Sequence, residues 1–318
     1  MRCLVTGCAG FIGSTLTERL LSRGDSVVGY DNFSSGQERF LVRAREYPDF
    51  ELVRADLLDA KTLTGSMRTV DLVFHLAANA DVRFGTQHPR RDLEQNTIAT
   101  HNVLEAMRSN GVARIAFTSS GAVYGEASQV PTPEDAPFPV QTSLYGASKL
   151  AAEGLIAAYG AGFGFQSYVF RLVSILGERY AHGHVLDFYR QLRADPTRLR
   201  VLGDGRQRKS YLYVHDCVDA MLTAVERAHE RVNIFNVGCD SSCEVQESVD
   251  WMCGALGVAP RIEYGGGDRG WPGDNPVIVL ETSRIRALGW EARLTIREAV
   301  LATLEYLRAN PDIVNARQ

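Results

Sequence analysis

The sequence predicts an α/β protein built on a doubly wound parallel sheet, and three observations lead to that prediction. Short apolar stretches such as Leu4-Val5-Thr6 alternate with longer helical stretches through the first third of the chain, which is typical of parallel sheets. The first strand runs directly into a glycine-rich turn, Gly7 to Gly13, that begins a helix. The second strand, Ser26 to Asp31, then ends on a carboxylate about 20 residues after the turn.

Composition limits the size and class of the protein. The chain has 318 residues and is 45% hydrophobic, which is enough for one large domain or two unequal ones. Its 34 basic and 38 acidic residues give a net charge of −4, so there is no overall basic field to attract nucleic acid or a membrane surface. We therefore expect neither of these as a partner.

The cysteines and the apolar runs point to a cytoplasmic protein. The six cysteines are scattered and form no C-x-x-C pair, so we expect no zinc, no other metal and no disulfide framework. A strand already begins at Arg2, so we expect no signal peptide. We find no apolar run long enough to cross a bilayer.

The first strand, Arg2 to Thr6, and the turn after it have the pattern of a dinucleotide site. Glycine at Gly7, Gly10 and Gly13 lets the backbone approach a diphosphate at the N-terminus of the following helix. Asp31 is placed to accept hydrogen bonds from both hydroxyls of an adenosine ribose, and it would repel a 2′-phosphate. The pattern thus favours NAD over NADP, although a purely structural turn with a solvated Asp31 would look the same.

Four further strands and a change in composition indicate two domains. After residue 175 the chain becomes richer in glycine-containing loops. We therefore assign residues 1–171 to a first domain, to which segments near 212–238 return, and residues 172–318 mainly to a smaller α/β domain. The four predicted strands are Phe50 to Ala55, Asp71 to Leu76, Arg114 to Thr118 and Gln166 to Arg171.

A candidate catalytic pair, Tyr145 and Lys149, begins an alanine-rich helical run. Residues four apart lie on one face of a helix, so the phenol and the ammonium can face the same cavity. A nearby ammonium lowers the pKa of a phenol, which would make Tyr145 a proton shuttle for a substrate hydroxyl. By itself this spacing also occurs by chance.

Together, the Gly-x-x-Gly-x-x-Gly turn and the Tyr-x-x-x-Lys pair resemble the extended branch of the short-chain dehydrogenase/reductase superfamily. The two motifs lie about 135 residues apart in the family's order, and the resemblance covers nearly the whole chain. It implies a Rossmann-type fold, bound NAD, and Tyr145, Lys149 and Ser120 as catalytic residues. The cofactor-binding residues that it implies are Gly7, Gly10, Phe11, Ile12, Gly13, Asp31, Asn32, Asp56, Leu57, Ala77, Ala78, Asn96, Tyr145 and Lys149.

Within the family, the residues after the fifth strand help to distinguish the reactions. Dehydratases of nucleotide sugars carry an Asp-Glu pair here and uronate decarboxylases carry a Glu, whereas this chain has Ser120, Gly121 and Ala122. Elimination of water needs an acid at the leaving hydroxyl, so dehydration is disfavoured. The resemblance then implies an isomerase that inverts C4 of a UDP-hexose through a 4-keto intermediate.

One position bears on the identity of the sugar. Ser174 stands where galactose-type epimerases have Asn and where uronic-acid epimerases have Thr. Its hydroxyl can donate to a carboxylate, while Gly121 leaves room for that group and an exposed N–H. This favours UDP-glucuronic acid and UDP-galacturonic acid over UDP-glucose and UDP-galactose, but simple drift at Ser174 is the competing explanation.

The resemblance also implies a set of substrate contacts and a homodimer. Arg208, Lys209 and Arg269 are alternative ligands of the nucleotide diphosphate, and the motifs do not choose among them. The dimer would form by packing of the helix from Glu94 to Met107 and the Tyr145 helix. The substrate-binding residues that we predict are Ser119, Ser120, Gly121, Tyr145, Ser174, Val185, Lys209, Arg208 and Arg269.

Two hypotheses from other classes stay open at this point. The same fold would serve a non-catalytic NAD-sensing scaffold, although the complete Tyr145, Lys149 and Ser120 set argues against it. A reductase that releases its reduced cofactor is the other. An epimerase would keep NAD bound and turn over without added cofactor, because its reaction involves no net redox change.

Overall fold

The structure is a computed structural model, and it describes residues 1–80, 85, 87–138, 140–271 and 273–315. The chain divides into two compact units, which we treat separately. The segment between Tyr124 and Thr142 belongs to the second unit, although the boundary predicted at residue 171 placed it in the first domain. The first unit comprises Met1–Val123, Ser143–Arg171 and Met221–Phe235, and the second comprises Tyr124–Thr142, Leu172–Ala220 and Asn236–Gln318.

A seven-stranded sheet organises the first unit, with the order β11-β6-β5-β4-β1-β2-β3. Strand β1 lies between β2 and β4, and both pairings are parallel. The order reverses at β1, so the carboxyl ends of β1 and β4 form the crevice where open α/β sheets bind their ligands. The strands are β1 Arg2–Thr6, β2 Ser26–Asp31, β3 Phe50–Arg54, β4 Leu72–His75, β5 Arg114–Ser120, β6 Gln166–Leu172 and β11 Val232–Val237.

The helices of the first unit flank this sheet, and two of them, Ala99–Asn110 and Leu144–Phe163, each end at a glycine. Gly111 and Gly164 adopt φ values of 71° and 74° at their C-termini, a left-handed conformation that glycine adopts without strain. The helices are α1 Phe11–Ser22, α2 Ala60–Ser66, α3 Pro89–Asp92, α4 Ala99–Asn110 and α5 Leu144–Phe163, with a π-helix over Leu93–Ile98 and 3₁₀ turns at Glu38–Leu41, Ala44–Glu46 and Gly121–Tyr124. Helix α7, Val214–Arg227, begins in the second unit and enters the first at Met221.

Small sheets and helices make up the second unit. Strand β7 pairs in parallel with β10, β8 pairs with β13, and β9 lies between β12 and β14. The strands are β7 Ser174–Leu176, β8 Arg198–Val201, β9 Arg208–Lys209, β10 Tyr211–Tyr213, β12 Cys243–Glu244, β13 Arg261–Tyr264 and β14 Val277–Ile278. The helices are α6 His184–Ala194, α8 Val245–Leu256, α9 Ser283–Arg286, α10 Ile296–Ala309 and α11 Pro311–Asn315.

The fold class predicted from the sequence is confirmed. All six strands predicted up to residue 171 are present, with ends that differ by at most two residues. Helix α6 begins at His184, directly after Gly183, which is its N-cap and has a φ of 112°. Across the described residues there is no helix suited to crossing a membrane and no cluster of metal-ligating side chains.

Candidate active site

The glycine turn is a close crossing of backbone that leaves no room for side chains. Gly7 has a φ of 71°, and a Cβ on it would lie 2.9 Å from the backbone nitrogen of Ala77. A Cβ on Gly13 would overlap the carbonyl oxygen of Gly7. Helix α1 then begins after Gly10, a residue that offers no side-chain cap to the first turn. An uncapped helix N-terminus beside a glycine turn suits a diphosphate.

Asp31 lies beside this turn and is held by backbone amides. Its Oδ2 accepts a hydrogen bond from the N–H of Ala9 at 2.9 Å, and its Oδ1 accepts one from Phe33 at 2.8 Å. Burial raises the pKa of Asp31 above its usual value, while these two amides oppose that rise. Each carboxylate oxygen accepts more than one hydrogen bond, so Asp31 retains acceptor capacity for ribose hydroxyls.

Three neighbouring residues complete this part of the site. A Cβ on Gly36 would lie 2.9 Å from Oδ1 of Asp31, so glycine keeps that side of the carboxylate clear; the sequence analysis overlooked it. Asn32 donates from Nδ2 to Oδ2 of Asp56 at 2.8 Å, which joins the ends of β2 and β3. Leu57 is buried, so any contact that it makes with a cofactor is through its backbone.

The end of β4 approaches the glycine turn through small residues and a fixed hydroxyl. The N–H groups of Leu76 and Ala77 both donate to the Thr6 hydroxyl at 3.1 Å. His75 has its Nδ1 2.8 Å from the Thr6 hydroxyl and its Nε2 3.0 Å from that of Thr100. Burial lowers the pKa of His75 to about 3. It is therefore a neutral packing residue.

Asn96 connects the loop after β4 to helix α5. It lies in the π-helix, a form that is frequent at functional sites. Its Oδ1 accepts from the N–H of Asn79 at 2.8 Å, and its Nδ2 donates to the Ser148 hydroxyl at 2.9 Å. The polar contacts of its side chain are thus internal, and its predicted role with the cofactor stays a prediction.

Helix α5 places the candidate catalytic pair. Ser143 caps the helix by accepting from the N–H of Gly146, and Tyr145 and Lys149 follow one turn apart. Tyr145 is hydrogen-bonded to the hydroxyl of Ser120 at the end of β5. Lys149 is buried; its Nζ donates to the carbonyl oxygen of Thr118 at 2.8 Å and lies 4.6 Å from the centre of the Phe117 ring. The structure thus brings together all three predicted catalytic residues.

The direction of the Tyr145 shift differs from the one we predicted. Burial raises the pKa of Tyr145 to about 12, although the hydrogen bond from Ser120 opposes this. Burial also lowers the pKa of Lys149 to about 7, against the opposing charges of Glu153 and Asp92. The ammonium is directed at the Thr118 carbonyl rather than at the phenol, so in the protein alone desolvation determines the pKa of Tyr145.

Ser119 does not face a substrate with its hydroxyl, which corrects our prediction. Ser119 is buried, and its hydroxyl donates to Oε1 of Glu153. Glu153 in turn forms a buried ion pair with Arg171 on β6, at 2.8 Å. Sequence reasoning missed Glu153 and Arg171. The available signal was that Glu153 is the only acid in the twenty-residue helix and follows Lys149 by four positions.

In the second unit, two of the three candidate diphosphate ligands lie around Asp274. Lys209 pairs with Oδ1 of Asp274 at 2.8 Å. Arg269 donates to the backbone oxygen of Asp274 at 3.2 Å and pairs with Glu126 at 2.8 Å. Arg208 is separate from them and donates to the Ser242 hydroxyl at 3.1 Å. Adjacent residues of a strand point to opposite faces, so strand β9 cannot direct Arg208 and Lys209 to one phosphate.

Ser174 and Val185 differ in what they can offer to a ligand. Ser174 is exposed at the start of β7, where it pairs with Tyr211. Val185 is fully buried in the first turn of α6, so a substrate contact there would be through its backbone, and our prediction for it stays a prediction. The N-cap of this helix is Gly183, which has no side chain to cap the first turn, so the first backbone N–H groups have no side-chain cap.

The first unit therefore fits a dinucleotide. The overlap that excludes side chains at Gly7 and Gly13, the uncapped N-terminus of α1 and the amide-oriented carboxylate of Asp31 are the features that such a ligand needs. Gly7 to Gly13 would hold the diphosphate, Asp31 the adenosine ribose, and Lys149 the second ribose.

Comparisons with known proteins agree with this geometry. The model of the NAD dependent epimerase/dehydratase family matches residues 3–238. The chain is 35% identical over 319 residues to a UDP-glucose 4-epimerase of Mycolicibacterium smegmatis, covering 97% of this chain and 99% of that protein.

Two solved structures are similar over the same extent. A crystal structure of a UDP-galactose 4-epimerase has a TM-score of 0.88 and 38% identity, covering 97% of this chain and 99% of that one. The structure of MoeE5 in complex with UDP-glucuronic acid and NAD has a TM-score of 0.86 and 29% identity, with coverage of 97% and 99%.

Proposed function

This chain belongs to the NAD-dependent epimerase/dehydratase family, within the extended short-chain dehydrogenases/reductases, and we propose that it inverts C4 of UDP-glucuronic acid to give UDP-galacturonic acid. The reaction type, an isomerase reaction that inverts C4 of a UDP-sugar with NAD, is supported by relatives that are named as UDP-sugar 4-epimerases and are similar over nearly their whole length. The identity of the sugar is a separate proposal, which rests on Ser174.

The hydrogen bond between Tyr145 and Ser120, one helical turn from the buried Lys149, is the observation that supports catalysis. Tyr145 takes the proton of the 4-hydroxyl and later returns it, while Ser120 stabilises the oxygen as its charge develops. Lys149, whose ammonium donates to the Thr118 carbonyl, would hold the second ribose of the cofactor. NAD, when bound, supplies the reversible acceptance of hydride from C4. Turning the 4-keto sugar over between the two transfers produces the inversion.

The residues beside Ser120 support epimerisation over dehydration. The 3₁₀ turn after β5 begins with Gly121 and Ala122, and the N–H of Ala122 donates to the Ser120 hydroxyl at 3.2 Å. Neither residue carries an acid that would protonate a leaving hydroxyl. In epimerisation the 4-oxygen of the sugar only loses its proton and regains it, and Tyr145 with Ser120 can do this without a further acid.

The preference for a uronic acid rests on Ser174. Ser174 is exposed and has a hydroxyl to donate to a carboxylate. MoeE5, similar over 97% of the chain, is described in complex with UDP-glucuronic acid and also with UDP-glucose, so this similarity does not separate the two sugars. The rival substrate pair is UDP-glucose and UDP-galactose. Two relatives favour this pair by their names, the UDP-glucose 4-epimerase of Mycolicibacterium smegmatis and the crystallised UDP-galactose 4-epimerase.

A substrate panel separates these possibilities. We would incubate the purified protein, without added cofactor, with UDP-glucuronic acid, UDP-glucose and the corresponding TDP-sugars, and follow C4 inversion by NMR. We expect the highest kcat/KM with UDP-glucuronic acid, and a Ser174→Asn variant should shift the preference toward UDP-glucose. Equal preference in the wild type and the variant would remove Ser174 as the selecting residue, and faster turnover of UDP-glucose would favour the rival pair.

The diphosphate anchors that we propose are Arg269 and Lys209, with Asp274 between them. In the protein alone their charges are paired with Asp274 and Glu126. A diphosphate is a stronger partner for a guanidinium fork than an exposed carboxylate. We expect binding to exchange the Glu126 contact of Arg269 for phosphate oxygens.

We also propose a homodimer formed through α5 and the π-helix segment beside it. The only charged residues of α5, Lys149 and Glu153, are buried, so the face it exposes is apolar. Leu93 and Ile98 of the π-helix are 52% and 41% exposed. Light scattering should give about twice the chain mass of 35.0 kDa, and Ala158→Glu should give the monomer. The α5 face exposes Leu144, Ala151, Gly154, Ala157, Ala158, Ala161 and Phe163.

The alternative of a non-catalytic NAD-binding scaffold is tested by Tyr145→Phe. We expect this variant to keep NAD and to lose C4 inversion by several orders of magnitude. An unchanged rate of inversion would exclude Tyr145 as the proton carrier.

Finally, all six cysteines are free thiols, which supports a reducing compartment such as the cytoplasm.

A further inference from the structure

The strand that carries Ser120 is tied to helix α5 at three consecutive residues. Ser120 is hydrogen-bonded to Tyr145, and the carbonyl oxygen of Thr118 accepts from Lys149 Nζ. Between them, the hydroxyl of Ser119 donates to Glu153. The three helix residues follow one another at intervals of four, so each turn of one face of α5 holds one residue at the carboxyl end of β5.

The third tie also has a buried anchor, the side chain of Arg171. Glu153 accepts three hydrogen bonds from Arg171, two from Nε at 3.2 Å and one from Nη2 at 2.8 Å. Arg171 lies near the end of β6, the strand next to β5, and its side chain is 2% exposed. A buried carboxylate paired in this way has little freedom to move, since leaving either charge unpaired is costly.

From this arrangement we propose that Ser119 and Glu153, with Arg171, are positioning residues for the reaction. They fix the end of β5 so that the Ser120 hydroxyl and the Thr118 carbonyl stay in register with Tyr145 and Lys149. The inference rests on the proposed function for its kinetic effect. The negative charge of Glu153 also supports the ammonium form of Lys149.

The variant Ser119→Ala tests the hydrogen bond between Ser119 and Glu153 without removing either member of the Glu153–Arg171 ion pair. Its kcat for C4 inversion should fall about tenfold, the equivalent of one lost hydrogen bond, while KM for the UDP-sugar changes less than twofold. Ser119→Thr, which keeps a hydroxyl, should recover most of the rate. The matched control is Ser167→Ala, a buried serine of the neighbouring strand whose hydroxyl has no hydrogen-bond partner among the described residues; it should behave as wild type.

A second measurement does not depend on catalysis. The chain has only three lysines, Lys61, Lys149 and Lys209, so protein labelled with ¹³C at the lysine ε-carbon gives three signals that arginine variants assign. Lys149 should titrate near pH 7 in the wild type. In Glu153→Gln its pKa should fall by about one unit, and in Ser119→Ala by roughly half a unit.

The outcomes separate the two proposals. Unchanged kcat and an unchanged Lys149 titration in Ser119→Ala would overturn the positioning role. Should Glu153→Gln fail to fold, the Ser119 variants decide the question alone. A wild-type protein that inverts none of the sugars would remove the proposed function, while the Lys149 titration would still test whether the tie sets the environment of the ammonium.

Discussion

Replacing Lys149 with methionine should stabilise the first unit at acidic and neutral pH, although it should abolish catalysis. Lys149 is 2% exposed, and burial lowers its pKa from 10.5 to about 7. At pH 6 the folded protein therefore keeps a desolvated ammonium, which the unfolded chain would expose to water. A methionine of similar length fills the same space without that cost.

The size and the sign of the change in unfolding free energy follow from the shift in the pKa of Lys149. The difference of 10.5 − 7 = 3.5 units, at about 1.36 kcal/mol per unit, is about 5 kcal/mol. Losing the hydrogen bond to the Thr118 carbonyl offsets about 1–3 kcal/mol of this. Between pH 7 and 10.5 the unfolded chain binds more protons than the folded one, so the stability of the wild type rises with pH. The advantage of Lys149→Met should thus shrink by about 3 kcal/mol between pH 7 and 9.5.

The assay must follow the first unit by itself. All three tryptophans, Trp251, Trp271 and Trp290, lie in the second unit, so their fluorescence would not report this change. Urea unfolding followed by pulsed hydrogen exchange and mass spectrometry of peptides from β5 and α5 measures the relevant free energy. A stability difference between the variant and the wild type that does not vary with pH would refute the reasoning, because it would mean that Lys149 titrates normally.

Three further predictions concern the cofactor, the nucleotide and the second unit. Asp31→Asn should weaken NAD binding about 10- to 100-fold and reduce discrimination against NADP, since the charge-assisted bonds to ribose are lost; calorimetric titration measures both affinities. Arg269→Ala should raise KM for the UDP-sugar at least tenfold with little change in kcat, whereas Arg208→Ala, whose side chain contacts Ser242 instead, should change it less than twofold in steady-state kinetics. Thr295→Ala removes the capping box of α10 and should cost about 1 kcal/mol, measured by urea unfolding with tryptophan fluorescence.

Elements with a local sequence signal were predicted well. The glycine turn, Asp31 and the Tyr145 and Lys149 spacing are short-range patterns. The structure has the close backbone crossing and the amide-held carboxylate, and it directs the Lys149 ammonium at the Thr118 carbonyl. The roles predicted for these residues stay predictions. The capping box of α10 at Thr295 is another local feature. In each case the chemistry is determined by residues within about one helical turn or one tight loop.

Contacts between distant elements could not be predicted. Ser119 was placed with the substrate because it precedes Ser120, but alternation along β5 turns its side chain away from that of Ser120 and toward Glu153. The same alternation separates Arg208 from Lys209. The direction of the Tyr145 pKa shift was wrong for a different reason. Spacing gives the proximity of two groups, whereas desolvation depends on what the rest of the fold packs over them.

The raised pKa of Tyr145 clarifies what the chain contributes to catalysis. With a pKa of about 12, only about one phenol in 10⁴ to 10⁵ would be ionised near neutral pH, so the protein alone does not provide the base. Its contribution is a fixed position for the phenol beside Ser120 and a lysine whose pKa of about 7 leaves its charge sensitive to any new neighbour. A bound cationic ring would shift the phenol toward phenolate, so the base should form only in the loaded protein. Proton transfer would then be confined to the state in which a hydride acceptor is present.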